Sequence, residues 1–147
     1  MTMKRYVIIM LAAISFLSYS SCSIDDGTNF HFTPLVIVNA ELPDSFVFGE
    51  TYDIPVTYII PDGCTFFNGF DVIQTESTTR EVAVIGSVLT DEESCITLAN
   101  ETTTSFEFLV RFTGTYFFRF WSGVDENGQQ QYIEIEVPVN PEASKKR

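Results

Sequence analysis

The sequence predicts an all-β sandwich behind a cleaved amino-terminal signal. Three observations predict it. An apolar run follows two basic residues at the start of the chain. Apolar and polar residues then alternate with period two in segment after segment, the pattern of half-buried strands. The 147 residues include 14 Phe and 6 Tyr, and aromatic residues favour strands. No convincing apolar pattern at helical spacing competes with the alternation.

Residues 1–21 carry the order of a secretory signal. Lys4 and Arg5 form the positive end, Tyr6–Leu17 is apolar apart from Ser15, and Ser18-Tyr19-Ser20-Ser21 is small and polar apart from Tyr19. That order of charge, apolar core and small residues is what the export machinery cuts. The apolar core is about 12 residues, short of the roughly 20 that a membrane-spanning helix needs. No later stretch is long enough, so no transmembrane helix is expected in the mature domain. Removing the first 21 of 147 residues leaves 126, enough for one sandwich-sized core.

The strands follow in order. Residues 30–40 hold Phe30, Phe32 and Leu35-Val36-Ile37-Val38, and Pro34 predicts an edge position or a break. Glu41–Ser45 is a turn. Residues 51–60 place Tyr52, Ile54, Val56, Tyr58 and Ile60 on one face. Pro61-Asp62-Gly63 is a second turn. Residues 65–73 hold Phe66, Phe67, Phe70, Val72 and Ile73. Residues 80–89 present Val82, Val84 and Val88, with a bulge expected at Gly86. Asp91-Glu92-Glu93-Ser94 is an acidic loop. Residues 104–111 turn Phe106, Phe108 and Val110 one way. Residues 115–121 set Tyr116, Phe118 and Phe120 against Phe117, Arg119 and Trp121. Asp125-Glu126-Asn127-Gly128 is a hairpin turn in which Asn-Gly supplies positive φ. Residues 131–139 place Ile133, Ile135, Val137 and Val139 on one face. The predicted fold is an immunoglobulin-like β-sandwich of about seven antiparallel strands, preceded by a cleaved signal peptide.

Four resemblances add to this. Ser20-Ser21-Cys22 after an apolar core resembles the lipobox of bacterial lipoproteins, in its relaxed Bacteroidetes form, with Tyr19 where an aliphatic residue is usual. The resemblance implies that Cys22 becomes a diacylglyceryl-bearing, acylated first residue. The alternative is an ordinary signal peptide with an incidental Cys. Asp25-Asp26 after Cys22 resembles the signal that sends such lipoproteins to the outer face of the outer membrane, with a periplasm-facing position as the alternative. Gly114-Thr115-Tyr116 and the Asp125–Gly128 turn resemble the last hairpin of bacterial immunoglobulin-like cell-surface domains, over about 25 residues. There, Tyr116 is expected to close a corner by hydrogen-bonding backbone. The whole mature chain looks like short uncharacterised Bacteroidetes lipoproteins, which brings an address and no activity. The expected organisation is signal peptide 1–21, lipidated Cys22 and flexible tether 22–29, sandwich 30–140 and disordered tail 141–147.

With Cys22 assigned to lipid, Cys64 and Cys95 remain as an even pair in an exported domain, where disulfides persist. A Cys64–Cys95 bridge is expected, with two free thiols as the alternative. The net charge is −12 and becomes −14 once Lys4 and Arg5 are removed. Such a balance excludes nucleic acid, which requires a basic face, and opposes adsorption to anionic lipid headgroups. No metal or other cofactor is expected: two thiols and one distant His31 make a poor ligand set, and the acidic turns lack calcium-loop spacing. His31 is the only histidine, and no nucleophile elbow, His-Glu-x-x-His or P-loop is present. A small hydrolase would have to use His31, so the chain is expected not to be an enzyme.

Phe117, Arg119 and Trp121, with Tyr132, form the candidate binding surface. Aromatic side chains on a solvent face stack on sugars or anchor proteins, unless Trp121 only packs at the rim. Arg80, Arg111 and Arg119 are expected to pair with nearby acids. The expected function is that of a non-catalytic, lipid-anchored envelope protein, an interaction or structural module held to the membrane by its anchor. The alternative is a carbohydrate- or protein-binding module of a surface uptake system. An exposed Trp121–Tyr132 cluster would favour binding, and a deep polar cleft around His31 would favour an enzyme.

Overall fold

A computed structural model describes residues 29–90 and 94–140. The expected signal peptide, Cys22, the tether before Asn29, the acidic run Asp91–Glu93 and the tail 141–147 lie outside the described residues. No helix among the described residues is long and apolar enough to cross a membrane. The strands are β1 (Phe30–Leu35), β2 (Ile37–Ala40), β3 (Phe46–Val47), β4 (Thr51–Asp62), β5 (Thr65–Gln74), β6 (Thr79–Leu89), β7 (Thr97–Leu109), β8 (Tyr116–Val124), β9 (Gln130–Val137) and β10 (Val139–Asn140).

The fold is all-β, and its arrangement is consistent with a sandwich. β2, β4 and β7 form one antiparallel sheet. The other sheet is built on β6. β5 pairs along one of its edges, while the other edge is shared: β1 covers residues 84–89 and β8 covers residues 79–82, with β9 outside β8. The inner faces meet in one apolar cluster that draws Ile54, Val56, Tyr58 and Phe108 from one sheet and Val82, Val84, Tyr116, Phe118 and Phe120 from the other. The alternations read from the sequence are the ones observed. β6 buries every second residue from Arg80 to Gly86, and β8 buries Tyr116, Phe118 and Phe120.

Three details differ from the sequence-based expectation. First, the strands are not all antiparallel: Thr79–Val82 of β6 runs parallel to Phe117–Phe120 of β8. β7 is the reason. It lies in the opposite sheet, so β8 returns in the direction of β6, and a long crossover is what a parallel pair requires. Second, the bulge expected at Gly86 is on the partner strand. Phe67 pairs Gly86 and Gly69 pairs Ile85, leaving Asn68 extra. Gly86 serves close packing, since a Cβ there would sit 2.9 Å from the Leu35 side chain. Third, Phe46 carries no alternation signal, yet it is fully buried and touches the rings of Tyr52, Phe108, Tyr116 and Phe118. It is held by a short parallel pairing of β3 with β10.

The first segment changes sheets, as the break signalled by Pro34 suggests. β1 ends at Leu35 in one sheet and β2 starts at Ile37 in the other, and both side chains are buried. Tyr116 closes the corner before β8: its hydroxyl oxygen accepts the backbone N–H groups of Arg111 and Phe112, both at 3.0 Å. Gly128 adopts φ +77° in the turn before β9, and the Asp125 carboxylate accepts the N–H groups of Asn127 and Gln129.

Arg80 is buried and finds no acid among the described residues. It donates instead to the carbonyl oxygens of Glu76, Ser77 and Thr79 and lies over the Phe108 and Tyr116 rings. Burial lowers its pKa, opposed by Tyr116 and reinforced by Arg111. Of the three arginines expected to pair with acids, Arg119 does, and Arg111 makes no ion pair among the described residues.

Cys64 and Cys95 form the expected disulfide, with Cα atoms 5.5 Å apart and a sequence separation of 31. It ties the β4–β5 turn to the start of β7. Two stability predictions follow from these contacts. Tyr116→Phe strands two backbone donors and should cost about 1–3 kcal/mol in urea unfolding; an unchanged midpoint would contradict the corner. Reducing the disulfide should cost about 3–4 kcal/mol by loop-closure entropy, read as a lower midpoint in reductant. An unchanged midpoint would mean the bridge constrains nothing.

Candidate functional site

The β8–β9 hairpin builds the site. Burying Tyr116, Phe118 and Phe120 forces Phe117, Arg119 and Trp121 outward, because successive side chains on a strand point to opposite faces. The register then sets Trp121 opposite Tyr132, Arg119 opposite Glu134 and Phe117 opposite Glu136. Directly opposed residues have Cβ atoms about 5 Å apart, so Trp121 and Tyr132 stand side by side. On the other edge of β8, Arg119 is opposite Glu81 of β6.

Arg119 is therefore held from both sides. It donates to Glu81 Oε1 and, through Nε, to Glu134 Oε1 at 3.2 Å. Its guanidinium also lies 4.1 Å from the Tyr132 ring centroid. Partly exposed ion pairs contribute about 0–1 kcal/mol each. Their effect here is to fix position: they hold the cation against one face of Tyr132. Trp121 is fixed in turn by its indole N–H, which donates to Gln130 Oε1. Gly123 follows at a bulge in β8 with φ +115°, a backbone conformation that L side chains rarely adopt.

Beside Trp121 the outer face is hollow. A depression of about 220 Å³ has Trp121 and Tyr132 as aromatic walls, with Pro34 and Ile73 as further apolar lining. Ala83 lies within it, and its single methyl leaves room. Asp71, Glu81 and Gln130 supply polar groups. The volume lies below the roughly 300–1,000 Å³ of drug-sized sites and suits one small ring.

Of the four sequence-predicted residues, the structure brings Arg119, Trp121 and Tyr132 together. Phe117, at 42% exposure, lies near the start of β8 and lines a second depression with Arg119, Glu134 and Glu136. Sequence reasoning missed Pro34, Asp71, Ile73, Glu81, Ala83 and Gln130. Four different strands supply them, so only the sheet register reveals that they meet. The alternation of β6 does carry one usable signal: with Val82 and Val84 inward, Glu81 and Ala83 must face out.

Two other groups bear on chemistry. His31 is exposed on β1 and lines neither of these depressions. Asp62, Cys64 and Cys95 have ligand atoms within 4.8 Å of one another. The two sulfurs are bonded to each other, and Asp62 Oδ1 accepts from Cys64 N and Thr65 Oγ1, so these groups are occupied within the protein. No family model matches the chain, and no curated protein or solved structure matches it.

Proposed function

We propose that this chain is a non-catalytic, lipid-anchored envelope protein whose sandwich binds carbohydrate at the Trp121 depression. The observation that carries the binding role is the Trp121–Tyr132 pair on an outward sheet face, beside Asp71, Glu81 and Gln130. A sugar ring has apolar C–H faces and a rim of hydroxyls. Aromatic walls take the first. The carboxylates accept hydrogen bonds from the second, and the Gln130 amide N–H₂ donates to it while Gln130 Oε1 serves Trp121. Anionic ligands are disfavoured, because the one nearby cation among the described residues, Arg119, is already paired to two acids.

The immunoglobulin-like type is part of the proposal. Supporting it are the Tyr116 corner, the sheet switch between β1 and β2, and two facing sheets of a single core. The parallel β6–β8 contact would be its departure from that type. The anchor rests on the signal-like residues 1–21 and the lipobox-like placement of Cys22, and the outer-membrane, surface-facing address rests on Asp25-Asp26.

Each part has its test. On a glycan array, the wild-type protein should bind a subset of glycans and Trp121→Ala should lose at least about 1–3 kcal/mol of that binding, the scale of a stacking contact. Equal binding by the variant would remove Trp121 from the site. Cys22→Ala should leave the protein unanchored or unprocessed in cell fractionation. Unchanged membrane retention and processing would overturn the anchor.

A further inference from the structure

One end of the fold carries exposed apolar side chains that the binding site does not use. Phe30 and Phe32 on β1 are 54% and 59% exposed, with ring centroids 5.3 Å apart. Phe32 and Phe66 flank Ser87 from opposite edges of β6, since both are its register partners. Phe66, at 51% exposure, shares a depression with Leu89 and Ile96 against the disulfide, and Ile96 is 74% exposed. Leu98, nearly half exposed, continues the patch near Gly63. Exposed clusters of this kind mark interaction surfaces.

The position of the patch identifies its partner. The described chain begins at this end, and Asn29 is fixed there: its carbonyl oxygen accepts from the backbone N–H and the hydroxyl of Thr90, at 2.9 and 3.0 Å. Cys22 is seven residues upstream. Seven residues reach at most about 25 Å. An acyl chain on Cys22 therefore keeps this end close to the bilayer, and the far end, where β10 closes, away from it.

We propose that Phe30, Phe32, Phe66 and Ile96 dock this end into the headgroup–acyl boundary of the membrane that holds the anchor. The inference rests on the proposed lipidation of Cys22. Phe and aliphatic side chains are the groups that enter this boundary, and tethering makes even a weak contact effectively intramolecular. Among the described residues, Asp62 beside the disulfide is turned to its own loop, its Oδ1 accepting from Cys64 N and Thr65 Oγ1. The net negative charge of the chain sets the lipid class: zwitterionic headgroups, not anionic ones. Docking would also fix the orientation of the sandwich relative to the membrane.

The test uses the processed full-length protein in phosphatidylcholine nanodiscs containing lipid with a nitroxide near the top of the acyl chain. Mass spectrometry of the amino-terminal peptide first establishes whether Cys22 is acylated. Amide resonances of Phe30, Phe32, Phe66 and Ile96 should lose at least about half their intensity, as expected for groups within about 10 Å of that boundary. Those of Phe46 and Asn140, at the far end, should keep theirs. Phe32→Asp combined with Phe66→Asp should restore the intensities while the protein stays with the disc. An acylated protein whose four resonances keep full intensity overturns the docking and spares the anchor. An unacylated protein that does not join the disc overturns both. Line broadening that follows protein concentration and not the nitroxide assigns the patch to a second copy of the chain, and also overturns the docking.

Discussion

β6 has two edges, and one of them must be shared. Its backbone donors and acceptors need partners because the strand crosses the middle of a sheet, where unpaired groups are costly. β5 satisfies one edge along most of its length. On the other, β8 supplies partners for Thr79–Val82 and β1 for Val84–Leu89. The handover falls at Ala83. Much of the structure follows from that division. β1 must leave the sheet as β8 arrives, so the chain crosses to the facing sheet between Leu35 and Ile37. The outer face at the handover is lined by Pro34 from one strand and Trp121 from the other, and the hollow lies between them. The same pairing brings the amino-terminal entry beside Leu89, at the end that carries Phe30 and Phe32.

Two of the three described arginines, Arg80 and Arg119, show two ways of satisfying a cation in this framework. Arg80 faces inward from β6 and is satisfied by backbone carbonyl oxygens of the β5–β6 turn and by aromatic faces. That arrangement couples the turn to the Phe46, Phe108 and Tyr116 cluster without placing an acid in the core. Arg119 faces outward one register further and is neutralised by Glu81 and Glu134. It stacks on Tyr132 from one side, which leaves the depression bordered by acids and aromatic rings.

Much of the fold was legible in the sequence, because it depends on period-two alternation. Tyr52 to Ile60, Tyr116 to Phe120 and Ile133 to Val139 could each be assigned an inner face from sequence alone. The turn at Asp125–Gly128 and the corner at Tyr116 were legible from local chemistry. Phe46 was not, because a two-residue strand has no period. The parallel β6–β8 contact was not, because it depends on which sheet β7 joins, a choice made by long-range packing. The Cys64–Cys95 bridge was legible from the even pair left once Cys22 is set aside and from the expected export of the domain. The candidate site was half legible: β8 and the residue opposite Trp121 could be read along the chain. Asp71, Glu81, Ala83 and Pro34 reach the site only through strand pairing over tens of residues.

The central claim is that the Trp121 hollow is a carbohydrate site. Trp121 is the only tryptophan in the chain, so intrinsic tryptophan fluorescence reports on that hollow alone. Titrating the folded protein with glycans that bind it on an array should shift or quench this emission saturably, at the same concentrations that produce binding. Saturable binding that leaves Trp121 emission unchanged would place the ligand elsewhere on the protein and contradict the account.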